Sequence, residues 1–289
     1  MQVDLITLTS GDGVNLDAIF CEPASGVTPK GPVEAVLLIH GSGGNFYCPA
    51  TKAMAEDLRS QGYACLAINT KGHDTVWANA GEGTYYGNAN EILDNSRWDL
   101  KAGIDYLEER GYRRIALLGH SMGAVKVGYY AATEADDRVV TVIPISPVRL
   151  SYSYYMESEA AAEFQQIIQQ ADQMEAEGRA LDLMTVNFPI SQMFSAFSYL
   201  DKHGPAERYN LVMLAPKIKI PMLVIAGELE THVRLRDCPQ DMVTAAVHSP
   251  KAEYVIIPGG NHSLTNNTEK ASATVLDWLA NLTPQKVGV

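Results

Sequence analysis

A serine flanked by glycines, in Gly119-His120-Ser121-Met122-Gly123, follows a short apolar run and precedes a helix-compatible stretch that reaches about Thr133. A serine hydroxyl is a weak nucleophile at neutral pH. It needs a general base, an acid that orients the base, and donors for the oxyanion that develops. A strand that turns sharply into a helix meets the positional part of this need. It projects the serine from the carboxyl edge of a sheet and places the helix's N-terminal amides behind it. The backbone folds closely on both sides of such a turn, which calls for the small residues at 119 and 123. Alone, the five residues fit an ordinary strand–helix turn about as well, so the partners have to be sought at other strand ends.

For the base, His262 stands in a Gly-Gly-Asn-His-Ser loop after the last expected strand, where a side chain can lie over the sheet edge. His232 is the one rival among the other histidines. His120 is expected to face away from the serine across the turn, and His40 to shape its own loop through hydrogen bonds. For the acid, Gly227-Glu228-Leu229-Glu230 ends the penultimate strand. Glu230 is the preferred residue, Glu228 the alternative, and Asp237 a distant third. For the oxyanion, His40-Gly41-Ser42-Gly43-Gly44 ends an earlier strand, and its glycines let backbone amides face a ligand. The amides of Met122 and Ser42 are the expected donors, with Gly43 as the fallback. No Gly-Lys-Ser/Thr follows, which disfavours a phosphate loop.

The elements that must position these groups alternate along the chain. A hairpin with Asp12-Gly13 in its turn opens it. Buried strands are expected at 33–39, 63–69, 138–145, 220–227 and 253–257, beside the one before Ser121. Helices are expected at 49–61, 96–110, 239–248 and 268–282. This rhythm implies an α/β protein with a mostly parallel, doubly wound sheet of about eight strands. Residues 70–94 carry no helical period, and Trp77, Tyr85 and Tyr86 within them suggest part of a pocket wall. From 148 to 215 the rhythm breaks: two or three helical stretches and no convincing strand point to an inserted helical cap. The expected organisation is a core of residues 1–147 and 216–289 with a cap at 148–215.

Together these pieces resemble the α/β-hydrolase fold superfamily over nearly the whole chain. The matching features are the N-terminal hairpin, His40-Gly41, Asn69-Thr70-Lys71-Gly72-His73, Gly119-His120-Ser121-Met122-Gly123, Gly227 to Glu230 and Gly260-Asn261-His262. The order Ser…Glu…His is the one that superfamily uses. Two departures stand out. The acid is usually Asp in this subgroup, so the longer Glu230 must be accommodated. The turn at Asn69 usually begins Asp-x-Arg-Gly-His. The resemblance implies a serine hydrolase, carboxylesterase-like, working through an acyl-enzyme on Ser121 with His262 as base. A carbon–carbon bond hydrolase or a lactonase would use the same triad, and a ligand-binding receptor can stand on the same fold.

Aromatic and sulfur-bearing residues, Phe188, Met193, Phe194 and Phe197 in the cap with Trp77 and Tyr85 in the loop, point to a mainly apolar or aromatic small-molecule substrate. Net charge is −12 and the 22 basic residues form no run, which speaks against nucleic acid or an anionic membrane as partner. The four cysteines have neither C-x-x-C spacing nor a companion histidine at zinc intervals, so no metal and no cofactor are expected. Their low density, the lack of a basic-then-apolar leader at Met1-Gln2-Val3, and the lack of an apolar run of about 18 residues suggest a cytoplasmic protein. Oligomeric state is left open, with a homodimer among the options.

Overall fold

The computed structural model describes residues 3–79, 81 and 83–283. Met1-Gln2 of the N-terminal reading, residues 80 and 82 of the 70–94 stretch, and the last residues of the 216–289 span lie outside them. Strands β1 (Asp4–Thr9) and β2 (Asn15–Cys21) form the expected hairpin, with Gly13 at φ 87° in its turn. Then follow β3 (Ala35–Ile39), α1 (Pro49–Ser60), β4 (Ala64–Ile68), the short hairpin β5 (Trp77–Asn79) and β6 (Thr84–Tyr86), and α2 (Ser96–Glu109). The centre of the chain is β7 (Ile115–His120), α3 (Met122–Thr133) and β8 (Val139–Ile145).

After β8 come α4 (Tyr152–Met156), α5 (Ala161–Ala176), β9 (Leu183–Val186), β10 (Gln192–Ser195), α6 (Ala196–His203) and α7 (Leu211–Leu214). The alternation then resumes with β11 (Met222–Gly227), α8 (Cys238–Ala245), β12 (Ala252–Ile257) and α9 (Thr268–Ala280). Eight strands share one sheet in the order β1-β2-β4-β3-β7-β8-β11-β12, and every pairing from β4 to β12 is parallel. Period-2 alternation assigns the two faces. Ala35, Leu37 and Ile39 join the core under α2, α3 and α8, whereas Val36 and Leu38 join the core under α1 and α9. All five residues of β3, β4 and the first five of β7 are buried, as both-face coverage requires.

The segment between β8 and β11 differs from expectation in one respect. It contains an antiparallel hairpin, β9 with β10, where no strand was expected. Each strand is only four residues long, and Pro189 with its apolar neighbours in the connection masks the alternation, whose buried positions are Met184 and Val186. Residues from Tyr155 to Tyr199, with Val233, form a third hydrophobic cluster separate from both sheet cores. Val148, Leu150 and Tyr209 to Ala215 pack into the sheet core instead.

A buried ionic group ties this segment to the helix behind Ser121. Glu91 lies 2.6 Å from Lys126 of α3 and 3.2 Å from Lys202 of α6, and none of the three side chains is more than 3% exposed. Burial by itself would raise the Glu91 pKa, but the two ammonium groups overcome it and hold it at about 2, below the ordinary 4.5. Removing the charge would leave two buried cations uncompensated. An E91Q variant is therefore expected to lose about 3–5 kcal/mol of stability in urea denaturation, well above the roughly 0–1 kcal/mol typical of a surface pair.

Candidate active site

Ser121 occupies the turn between β7 and α3 at φ 57°, ψ −116°, a conformation that side-chain-bearing residues rarely adopt. The surrounding backbone explains the motif's spelling. A Cβ on Gly119 would lie 2.1 Å from the Gly123 carbonyl oxygen, and one on Gly123 would lie 2.3 Å from that of Ile39. A Cβ on Gly41 would come within 3.0 Å of the Ser121 Cβ. The loop after β3 is thus packed directly against the serine, and the Ser121 amide donates to the Ile145 carbonyl at 2.9 Å.

The structure brings Ser121, His262 and Glu230 together. His262 Nε2 lies 3.0 Å from Ser121 Oγ, and its Nδ1 lies 3.2 Å from Glu230 Oε2. The carboxylate can only accept, so the bond to it requires the proton on Nδ1, which leaves Nε2 free to take the serine proton. Glu230 is buried, and its other oxygen accepts from Ser146 Oγ at 2.5 Å and from the Gly227 amide at 2.7 Å. Folding back onto its own turn in this way accommodates the extra methylene of Glu relative to Asp. Glu228 is not part of the cluster: it is exposed and accepts from the Gly259 amide at 2.8 Å. Asp237 is engaged at the surface by Tyr154 Oη and Arg236. His232, the rival base, is also exposed, and its Nδ1 accepts from the Arg234 amide at 3.2 Å.

Two further histidines support the site's backbone. His40 Nδ1 is 2.8 Å from the Gly41 carbonyl, and its Nε2 accepts from the Thr70 amide at 3.0 Å, so the loop after β3 is braced through an imidazole. His120, expected only to face away from the nucleophile, holds the His262 loop: its Nε2 lies 2.8 Å from the His262 carbonyl. Nothing in the order of residues signals this contact across the sheet edge. Burial lowers His40 to about 3 and His120 to about 4, so both rings are neutral. The carbonyl partners put the proton on Nδ1 of His40 and on Nε2 of His120.

Ser42 and Met122 border a pocket of about 300 Å³, open mouth included, that also touches Phe194 of β10. Gly43, at φ 59°, does not line this pocket; a Cβ there would lie 3.8 Å from the backbone of Asp74. Of the six aromatic and sulfur-bearing residues expected around the substrate, only Phe194 lines this pocket. Trp77 is stacked between His73 and Tyr86, at ring distances of 4.8 and 4.9 Å, and Tyr85 is exposed. Phe188 is buried among Tyr155 and Phe164, with ring distances of 5.0 and 5.7 Å. Met193 and Phe197 are exposed, Met193 because alternation along β10 points it opposite to Phe194. The pocket walls missed by sequence reasoning are mixed: Arg149, Arg234, Gln192 and His203 are polar or cationic, and Val148, Leu150, Tyr155, Pro189 and Ile190 are largely apolar. Alternation along β10, which puts Gln192 on the same side as the expected Phe194, was the available cue for one of them. Among the described residues no three His, Cys, Asp or Glu side chains gather as metal ligands, and no helix is long and apolar enough to cross a membrane.

The buried histidines make stability depend on pH. His203, like His40, is lowered to about 3, first by burial, and with His120 at about 4 all three stay neutral in the fold while their unfolded-state value is 6.5. The unfolded chain therefore binds more protons below that value, and stability falls as pH drops. Urea denaturation between about pH 6.5 and pH 4.5, above the main carboxylate range, should show a positive slope of up to about 4 kcal/mol per pH unit, shallower in an H203N variant.

The sequence matches the family model described as alpha/beta hydrolase fold over residues 34–265. Among solved structures, Est1E from Butyrivibrio proteoclasticus with ferulic acid bound aligns at 20% identity and a TM-score of 0.67, covering 95% of this chain and 98% of its own. The Pyrococcus furiosus esterase Pf2001 aligns at 18% identity and a TM-score of 0.62, over 98% of this chain and 94% of the esterase. The alpha/beta hydrolase GrgF from Penicillium sp. sh18 aligns at 18% identity and a TM-score of 0.70, over 96% and 98%. At these identities the likeness is one of fold.

Proposed function

The chain belongs to the alpha/beta-hydrolase fold family, and on that premise we propose that it is a serine hydrolase that cleaves a carboxylic ester through an acyl-enzyme on Ser121. One observation carries the reading: the continuous relay from Ser121 Oγ through His262 to Glu230, at 3.0 and 3.2 Å. Esterases among proteins of similar fold agree with it.

In the proposed cycle Ser121 Oγ attacks the ester carbonyl as His262 Nε2 takes its proton. Glu230 holds the imidazole by its Nδ1–H and stabilises the imidazolium. The amides of Met122 and Ser42 receive the negative charge on the carbonyl oxygen, Met122 from the first turn of α3 and Ser42 from the loop that His40 braces. His262 returns the proton to the departing alkoxide and the alcohol leaves. A water then attacks the acyl-enzyme, giving its proton to His262, and the acid is released with Ser121 restored. Residues 148–215 serve as the cap: the separately packed cluster from Tyr155 to Tyr199 supplies the outer wall of the pocket through β10 and α6. Four unpaired cysteines, three of them buried, accord with a reducing, cytoplasmic setting.

A fluorophosphonate should label wild-type protein stoichiometrically, with the mass increase on the peptide bearing Ser121. S121A should lose at least about 1,000-fold in kcat on a short para-nitrophenyl ester while keeping its thermal transition. Esterase activity near wild type in that variant would falsify the assignment. The two glutamates separate in the same assay. E230Q should lower kcat at least about 100-fold, because an amide cannot stabilise the imidazolium, and E228Q should lower it far less.

A further inference from the structure

The pocket beside Ser121 has an electrostatic character opposite to that of the molecule. The chain carries a net charge of −12, yet among the described residues no Asp or Glu lines this pocket, while Arg149, Arg234 and His203 do. The two arginines are not equivalent. Arg149 is buried, its guanidinium paired with Asp241 through Nη2 and set 4.0 Å over the Tyr154 ring. Its Nε is buried without a hydrogen-bond partner.

Arg234 has no such mate. Among the described residues no carboxylate lies within ion-pair distance of its guanidinium, although the other arginines of the pocket and of the surface around it are paired. Its backbone is pinned, with the amide donating to His232 Nδ1 at 3.2 Å and the carbonyl accepting from Arg149 N at 2.8 Å. Burial lowers its pKa, with Tyr155 and Glu230 opposing, so the side chain, which lines the pocket from the turn after β11, is partly dehydrated. His203 adds a third unsatisfied group: it is 2% exposed, its Nδ1 has no partner, and the ring is neutral.

The walls of one pocket thus hold a guanidinium without an ion-pair mate and two buried polar atoms without hydrogen-bond partners, and leaving such atoms unpaired is costly. An acceptor-only ligand that reaches all three relieves the cost. Building on the hydrolase reading, we propose that Arg234 is a specificity-determining residue that binds a carboxylate carried by the substrate itself, so that the preferred substrates are anionic half-esters rather than neutral esters. A guanidinium binds a planar carboxylate with two parallel hydrogen bonds, which an ester carbonyl of the same shape cannot match. His203 and Arg149 Nε supply the remaining donors. The expectation of an apolar substrate site is thereby narrowed: Phe194, Leu150 and Ile190 cover the carbon chain, and the cation end of the pocket reads its terminus.

The test compares matched esters that differ only in charge. On the acyl side these are the mono-para-nitrophenyl ester of adipic acid and the same ester with its free carboxyl methylated. On the alcohol side they are para-carboxyphenyl acetate and its methyl ester. In wild type one of the two pairs should favour the anion by at least about tenfold in kcat/KM, with the difference mainly in KM. R234Q should reduce that ratio to within about twofold, and R234K should keep part of it. A ratio near one in both pairs overturns the proposal and leaves the hydrolase reading standing, as does a strong anion preference that survives R234Q. If no ester is turned over and Ser121 is not labelled by a fluorophosphonate, it is the hydrolase reading that fails. Calorimetric binding of monomethyl adipate against dimethyl adipate to S121A then decides the carboxylate site by itself: equal affinities refute it, and a preference for the anion that is lost with R234Q added supports it.

Discussion

The close backbone contact at Ser121 is the constraint on which the rest of the structure depends. For the serine to stand at φ 57° beyond the sheet edge, the first turn of α3 must press against the ends of β3 and β7. A Cβ at Gly123 would collide with the Ile39 carbonyl and one at Gly119 with Gly123, so both positions exclude every side chain. The same contact brings the loop after β3 against the serine, which is how one steric requirement at the turn also places Ser42 beside Met122. Strain at a residue of this kind persists only where its surroundings over-determine it. Here they do, through the buried strand β3 and the largely buried β8 on its two sides and the hydrogen bond from the Ser121 amide to the Ile145 carbonyl.

Around that turn the molecule spends buried polar groups in an ordered way. His40 braces the loop after β3 and reaches Thr70; Lys126 donates to the Thr70 hydroxyl at 2.7 Å and pairs with Glu91, which also meets Lys202 of α6. A connected polar path therefore runs from the Gly41 loop to the segment inserted between β8 and β11. Such groups are expensive to bury unless each is matched, and matched they hold one arrangement against others. On the other side of Ser121, His120 fixes the backbone of His262 and Ser146 fixes the carboxylate of Glu230. The relay is thus held by its neighbours rather than by its own two hydrogen bonds.

The pocket stands apart from this pattern. Its walls come from the segments that follow β8 and β11, the hairpin β9–β10 and helix α6, and they carry two buried polar atoms without partners, Arg149 Nε and His203 Nδ1. Unpaired polar groups that line a pocket are where ligand chemistry can be read, and the cations here contrast with the net negative charge of the chain.

The sheet core was legible from order along the chain, because buried parallel strands must be continuous apolar runs and helices must show a stripe, and both patterns survive without knowledge of neighbours. The Gly-His-Ser-Met-Gly turn was legible for a similar reason: its steric demand is local and is written in residue type. The choice between Glu230 and Glu228 could not be made that way, since two residues separated by one position differ only in which side of a turn they face. Only the tertiary fold turned Glu230 inward to Ser146 and His262 and left Glu228 outside on Gly259. The same holds for the pocket. Composition pointed to aromatic residues around the substrate, but packing inside the inserted segment consumed Phe188, alternation exposed Met193, and the folded chain brought Arg149, Arg234 and His203 from three distant stretches into one pocket with Ser42 and Met122. Local sterics and periodicity are properties of sequence; which side chains meet across a pocket is a property of the folded chain.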